Sequence, residues 1–238
     1  MENPLRRLTI PSGRLYNLRD LGGYACDGGV TKHKVFLRSD HLHDLTDEDI
    51  KFLLDIGLTD VIDLRSKSEC EEFPNSFLCN NSATVHNITG KSLETLIKAT
   101  RDITNMGDFY KVLLDELADV HIRALEVMAN AKGVTIFHCL VGKDRTGIVA
   151  ALLLLLLGVD EYDIIADYQV SETFLERMGT LRYMSRPGVP SYAASSSAEN
   201  MRVLIDYINR KYGSAANYLM KNGLSDETVE KFKDKFVE

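Results

Sequence analysis

A cysteine and an arginine six positions apart, Cys139 and Arg145 in the stretch IFHCLVGKDRTGIVAALLLLLLG (136–158), are the residues most able to do chemistry in this chain. A thiolate is a strong nucleophile, and a guanidinium offers a planar fork that holds two oxygens of a phosphate. Between them lies a tight turn containing Gly142, which can adopt backbone shapes other residues resist. Such a turn points successive N–H groups inward, and the helix that follows adds the positive end of its dipole, so Leu140, Val141, Gly142, Lys143, Asp144 and Arg145 form a candidate anion nest. The same field favours the thiolate form of Cys139. Of the four cysteines, only Cys139 is followed by an arginine at this spacing. A nucleotide-binding P-loop is excluded, because Gly142-Lys143 is followed by Asp144 rather than Ser or Thr and Phe137 stands where the first glycine is required.

These groups need rigid support on both sides. Val134 to His138, rich in β-branched residues, predicts a strand that ends at the cysteine, and the apolar run from 147 to 157 predicts a buried helix, too short to cross a bilayer. Further strands are predicted at Val35 to Leu37, Asp60 to Leu64 and Ala83 to Ile88. Helices are predicted from Thr46, an N-cap, to Gly57, and over 92–104 and 108–131. Strands separated by helices give an α/β fold with a mainly parallel central sheet covered on both faces. The segment 185–197, rich in Ser, Pro and Gly, predicts a loop or flap, and 176–200 is a candidate lid. Three helices should follow over 199–238 as a tail packed on the rest, with Gly213 and Gly223 as C-terminal caps and Ser214 and Ser225 as N-caps.

Composition bounds the possibilities. The 238 residues are 45% hydrophobic and 26% charged, which suits one globular domain spanning 1–238. A net charge of −7 argues against a nucleic-acid partner or a polybasic membrane patch, so a bound anion must be held locally. The N-terminal residues lack a signal-peptide core, giving an expectation of a cytoplasmic protein with no transmembrane segment. Cys26, Cys70, Cys79 and Cys139 contain no CxxC pair and predict neither a disulfide framework nor a zinc site; simple burial of Cys26, Cys70 and Cys79 is the expectation over oxidative pairing of one of them with Cys139. Asp40-His41-Leu42-His43-Asp44 places alternate polar residues on one face, but a solvated polar turn explains it better than a metal, and no metal site is assigned.

The loop His138 to Gly147 resembles the signature of cysteine-dependent protein tyrosine phosphatases, and more narrowly the bacterial tyrosine phosphatase family whose loop reads HCxxGKDRTG. Asn17-Leu18-Arg19-Asp20-Leu21-Gly22-Gly23 is similar to that family's NxRDxGG, Leu37-Arg38-Ser39 to its FRS strand, and Asp63-Leu64-Arg65-Ser66 to its DLRS turn. Asp167-Tyr168 and Tyr212-Gly213 fit as well, so the likeness runs from 15 to about 225. It implies hydrolysis of a phosphomonoester through a phosphocysteine, without metal or cofactor. Cys139 would be the nucleophile, Arg145 the phosphate and transition-state ligand, Thr146 a hydrogen-bond donor to the thiolate, and His138 a support behind the loop. Asp144 matches the family's loop aspartate and is the candidate general acid, against an alternative in which it merely pairs with Lys143 or Arg19. Asp63 is the reserve acid or a brace, and Arg19 and Asp20 are read as loop supports. Lys143 is either a second cation for phosphoinositides or an exposed charge. Implied substrates are phosphorylated proteins, through phosphotyrosine and possible phosphoserine or phosphothreonine, and phosphoinositides. Two rival readings remain: a rhodanese-like sulfurtransferase, and a phosphate-binding module without turnover.

Overall fold

The computed structural model describes residues 6–78, 82–100, 102–177 and 190–238. Among the described residues seven strands run in chain order: β1 (Arg19–Asp20), β2 (Ala25–Cys26), β3 (Gly29–Val30), β4 (Phe36–Ser39), β5 (Leu58–Asp63), β6 (Thr84–Asn87) and β7 (Val134–His138). Five of them form a sheet in the order β1-β4-β7-β5-β6, with β1 antiparallel to β4 and all other pairs parallel, while β2 and β3 make a separate hairpin. The mainly parallel sheet expected from the sequence is therefore present. β7 is central and buried at all five residues, as its unbroken apolar and β-branched character requires of a strand covered on both faces.

Register does the positioning. Ser39 of β4 pairs with His138 of β7, and His138 pairs with Asp63 of β5, so three strands end level at one edge. The chain therefore delivers FRS, DLRS and the Cys139 loop to the same carboxyl edge, where open α/β sheets form their binding crevices.

Ten helices flank the sheet among the described residues: α1 (Asp47–Asp55), α2 (Lys67–Glu72), α3 (Leu93–Ala99), α4 (Met106–Glu116), α5 (Ala118–Asn130), α6 (Asp144–Leu156), α7 (Glu161–Arg177), α8 (Ala198–Tyr212), α9 (Ala215–Lys221) and α10 (Asp226–Phe236). One core lies among α4 to α10 and the sheet; a second, built on Ile50, Leu53, Phe77 and the N-terminal Ile10 and Leu15, fills the opposite face. α6 is apolar around its whole circumference because it sits between α4, α5, α7 and α9. None of the helices among the described residues is long and apolar enough to span a membrane.

Several boundaries differ from the sequence reading. The helix predicted over 108–131 is two helices broken at Leu117, whose φ of −116° and ψ of 24° leave the helical range. The break lets α4 face α8 while α5 turns toward α10. α6 starts at Asp144 rather than 147, which draws Arg145 and Thr146 into its first turn. The helix predicted over 92–104 ends at Ala99. α7 and the two-residue β1 were not foreseen; α7 has no strong amphipathic stripe, and β1 is too short to show a period of two.

The caps are as expected. Thr46 and Asp49 form a reciprocal capping box on α1, Ser214 and Ser225 cap α9 and α10, and Gly213 and Gly223 have positive φ. The tail packs on the sheet: Phe232 and Phe236 meet Phe36 of β4 edge to face, with centroids 5.8 and 4.7 Å away. Of the predicted flap, 185–189 lie outside the described residues, as do 178–189 of the candidate lid and, elsewhere in the chain, Cys79; Ser191–Ala194 is a 3-10 turn.

Candidate active site

β7 ends at His138, and Cys139 opens a loop that closes into α6 at Asp144. The scaffold grips this loop by its carbonyls. His41 N–H donates to Leu140 O at 3.1 Å, Asn17 Nδ2 to Val141 O at 3.0 Å and Arg38 Nη2 to Gly142 O at 2.8 Å. With three consecutive carbonyls held outward, the intervening amides face the other way. Among the described residues, none of the N–H groups of 140–143 donates a hydrogen bond. Arg145 Nε and Thr146 Oγ1 are likewise buried without a partner there. Buried donors left unspent are costly, and a set of them at a helix N-terminus is what an oxyanion would satisfy.

Gly142 is required by this geometry. Its φ is +69°, and a Cβ there would lie 2.3 Å from Ser39 O. Gly142→Ala is expected to destabilise the fold by roughly 2–4 kcal/mol and to lower turnover with it, as read by denaturant midpoint and kcat.

Behind the loop stands a buried polar scaffold. Arg38 also binds Asp167 Oδ2 at 2.5 Å, and Arg19 binds Asp167 Oδ1 at 2.7 Å and Asn17 Oδ1 at 2.6 Å. Burial alone would raise the Asp167 carboxyl, but the two guanidiniums hold it at about 2. Arg19 thus reaches the loop indirectly, by fixing the Asn17 side chain. Asp20 does not reach it: it accepts from Gly22 N–H and Lys34 N–H and shapes the turn after β1. Its expected place as a loop support is corrected accordingly; adjacent strand residues face opposite ways.

His138 is buried, with Nδ1 3.0 Å from Cys139 O and Nε2 3.3 Å from Asn75 Nδ2. Burial holds its ring below its ordinary value, so it is neutral and Nδ1 carries the proton. Asp63 is bound by both ends of Arg65, at 2.8 and 2.6 Å. Burial pushes its carboxyl up, but the paired Arg65 guanidinium outweighs this and holds it below the usual carboxylate range. That removes Asp63 as a reserve acid and leaves it a brace.

Arg145 presents a difference from the expected phosphate fork. Nη1 and Nη2 each lie 2.7 Å from Glu69, and Nη1 also donates to Leu64 O at 3.0 Å. Burial works against the Arg145 charge, and the Glu69 carboxylate more than offsets it, holding the guanidinium above its usual value. Glu69 was missed by sequence reasoning. The signal was present in Ser66-x-x-Glu69, whose capping box starts α2 and aims the carboxylate at the loop.

Asp144 is seated in a second polar group. Its Oδ1 accepts from Tyr110 Oη at 2.6 Å and lies 3.3 Å from Lys143 Nζ. Lys143 is fully buried, with Nζ donating to Ala193 O at 2.5 Å and Ser195 O at 3.0 Å. The exposed-charge reading of Lys143 is overturned: two carbonyls and a carboxylate replace its water. Asp144 makes no pair with Arg19, which Asp167 occupies.

The 40–44 segment is solvated at its far end, where Asp44 is exposed, and packed at its start. Asp40 is buried and accepts from the N–H groups of Tyr16 and Asn17; burial raises its carboxyl to about 6 despite those bonds. His41 stacks on Phe73, and His43 Nδ1 meets Pro74 O. Cys26, Cys70 and Cys139 are free thiols, and Cys70 Sγ rests 3.7 Å from Asp63 Oδ2.

A parallel sheet that delivers a cysteine, a buried arginine and a run of unspent amides to one helix N-terminus defines an α/β enzyme built around an oxyanion loop. The sequence pattern of the tyrosine phosphatase family matches residues 10–238. A tyrosine-protein phosphatase of Nostoc commune is 26% identical over 233 residues, covering 88% of this chain and 76% of that protein. A Cupriavidus necator protein, provisionally named a tyrosine-protein phosphatase, is 32% identical over 227 residues, with 85% and 80% covered. The triple specificity protein phosphatase PtpB of Mycobacterium tuberculosis is 29% identical over 128 residues, 47% of this chain and 46% of its own. The chain belongs to the tyrosine phosphatase family.

Proposed function

We propose that this phosphatase hydrolyses phosphotyrosine in proteins through a phosphocysteine on Cys139, with further phosphomonoesters, phosphoserine, phosphothreonine or a phosphoinositide, as additional substrates. The observation that carries the reading is the loop whose three carbonyls are held outward while its amides, Arg145 Nε and Thr146 Oγ1 stay unspent. The triple specificity of the relative PtpB supports the wider substrate range.

In the first step the Cys139 thiolate attacks phosphorus. The S–P bond forms as the bond from phosphorus to the tyrosyl oxygen breaks, and Asp144 gives its proton to that oxygen. The loop amides and Arg145 hold the equatorial oxygens, with Arg145 exchanging part of its grip on Glu69 for phosphate. Water then attacks the phosphocysteine, Asp144 takes its proton, and inorganic phosphate leaves with the thiolate restored. Thr146 Oγ1 donates to the departing sulfur, and neutral His138 holds the Cys139 carbonyl. Lys143, anchored to Ala193 O and Ser195 O, ties the 190–197 segment to the loop and is a cation for a second phosphate only if that anchorage opens.

The test is phosphate release from a phosphotyrosine peptide, a phosphoserine peptide and a phosphoinositide. Release from the first at the highest kcat/KM is expected. Release from none, with tight binding of phosphotyrosine peptide, would overturn the reading in favour of a binding module; thiocyanate formation from thiosulfate and cyanide would favour a sulfurtransferase.

A further inference from the structure

The Asp144 carboxyl belongs to a ring of hydrogen bonds, closed by one ion pair, that joins four helices and one turn. Asn200 Nδ2 of α8 lies 3.3 Å from Tyr168 Oη of α7, Tyr168 Oη lies 2.7 Å from Tyr110 Oη of α4, and Tyr110 Oη lies 2.6 Å from Asp144 Oδ1 at the start of α6. Asn200 Nδ2 also reaches Ser195 O at 3.2 Å, where Lys143 Nζ arrives, and Lys143 returns to Asp144.

The direction of this chain follows from what each atom can do. Oδ1 of Asp144 is an acceptor, so Tyr110 donates to it. Tyr110 has one hydroxyl proton, now spent, so it must accept from Tyr168. Tyr168 accepts in turn from the Asn200 amide, which has no other role to play at that atom. Every hydrogen therefore points toward Asp144, the arrangement in which successive bonds polarise one another. Burial pushes both phenols upward, so they remain protonated donors at any pH where the enzyme works. Both rings are fully buried and cross edge to face at 5.9 Å, which fixes the hydroxyls against rotation.

Both contacts to the carboxyl, from Tyr110 and from Lys143, fall on Oδ1. The side chain keeps about 10% of its surface exposed, so Oδ2 is the oxygen with room to carry a transferable proton. Resting on the assignment of Asp144 as the general acid, we propose that Tyr110 is a positioning residue for that acid: by donating to Oδ1, backed by Tyr168 and Asn200, it keeps the proton on Oδ2 and stabilises the carboxylate left when that proton is given to the leaving oxygen.

The test compares phenyl phosphate, whose phenolate needs a proton to leave, with 2,4-dinitrophenyl phosphate, whose phenolate does not. Asp144→Asn should lower kcat on phenyl phosphate far more than on the dinitro ester. Tyr110→Phe should show the same selectivity, with kcat on phenyl phosphate down about tenfold and KM unchanged, because a hydrogen bond to a charged group is lost and no phosphate contact is. Added to Asp144→Asn, it should cause no further loss. Tyr168→Phe, which spares the final bond, should act in the same direction more weakly and serves if Tyr110→Phe does not fold. Equal losses on both esters, or a loss that adds in full to that of Asp144→Asn, would overturn the role of Tyr110 while leaving Asp144 the acid. An Asp144→Asn enzyme without leaving-group selectivity would remove the acid assignment itself, and the proposal with it.

Discussion

Cys139→Ser is expected to lower kcat on a phosphotyrosine peptide by ~10⁴-fold or more, because a neutral hydroxyl replaces the thiolate and the adjacent His138 is not placed to take its proton. His138 is neutral, but its free electron pair faces Asn75, and its Nδ1 proton is committed to the Cys139 carbonyl. The substitution is nearly isosteric at a side chain with 1% exposure, so the fold should survive. The grips on Leu140 O, Val141 O and Gly142 O are untouched, and the peptide should still bind. Kinetics and calorimetry together check this: dead turnover with a Kd within a few-fold of the wild-type KM is the expected pair of results.

Arg145→Lys carries the second large effect. Lysine keeps the charge but offers one point of attachment where Glu69 now receives two bonds and Leu64 O a third. A partly buried Glu69 losing half its partner, and a phosphate losing its planar fork, should reduce kcat/KM by roughly 10³-fold, most of it in kcat since the developing charge is greatest in the transition state. Glu69→Gln should act more mildly, because the amide oxygen can still receive one of the two bonds. If Arg145→Lys kept near wild-type kcat, the guanidinium would be a structural tie to Glu69 and no more.

What could be read from the chain, and what could not, divides along the lines of locality. α6 announces itself by a long apolar run, β7 by β-branched and aromatic residues, and the caps at Thr46, Ser214 and Ser225 by residue type next to a periodic stretch. Gly142 was legible as a special backbone position, and the structure supplies the reason in its approach to Ser39 O. The partners that complete the site are distant in sequence, and the local patterns around Glu69 and Asn17 do not say which loop atoms they meet. Tyr110 meets Asp144 across 34 positions, Glu69 meets Arg145 across 76, and Asn17 meets Val141 across 124. Lys143 shows the opposite error, a charge that local reasoning leaves free and that tertiary packing buries against two carbonyls. Strand register, which sets Ser39, His138 and Asp63 side by side, brings three separate motifs to one place.

The central claim is that phosphorus passes through the sulfur of Cys139. It is tested most directly by mixing the enzyme with a ³²P-labelled phosphotyrosine peptide, quenching within milliseconds, and locating the label by digestion and mass spectrometry under conditions that preserve thiophosphate esters. Label on the peptide that contains Cys139, formed and lost at rates compatible with kcat and absent from Cys139→Ser, is the predicted result. Full turnover with no protein-bound label, or label on any other residue, would contradict it.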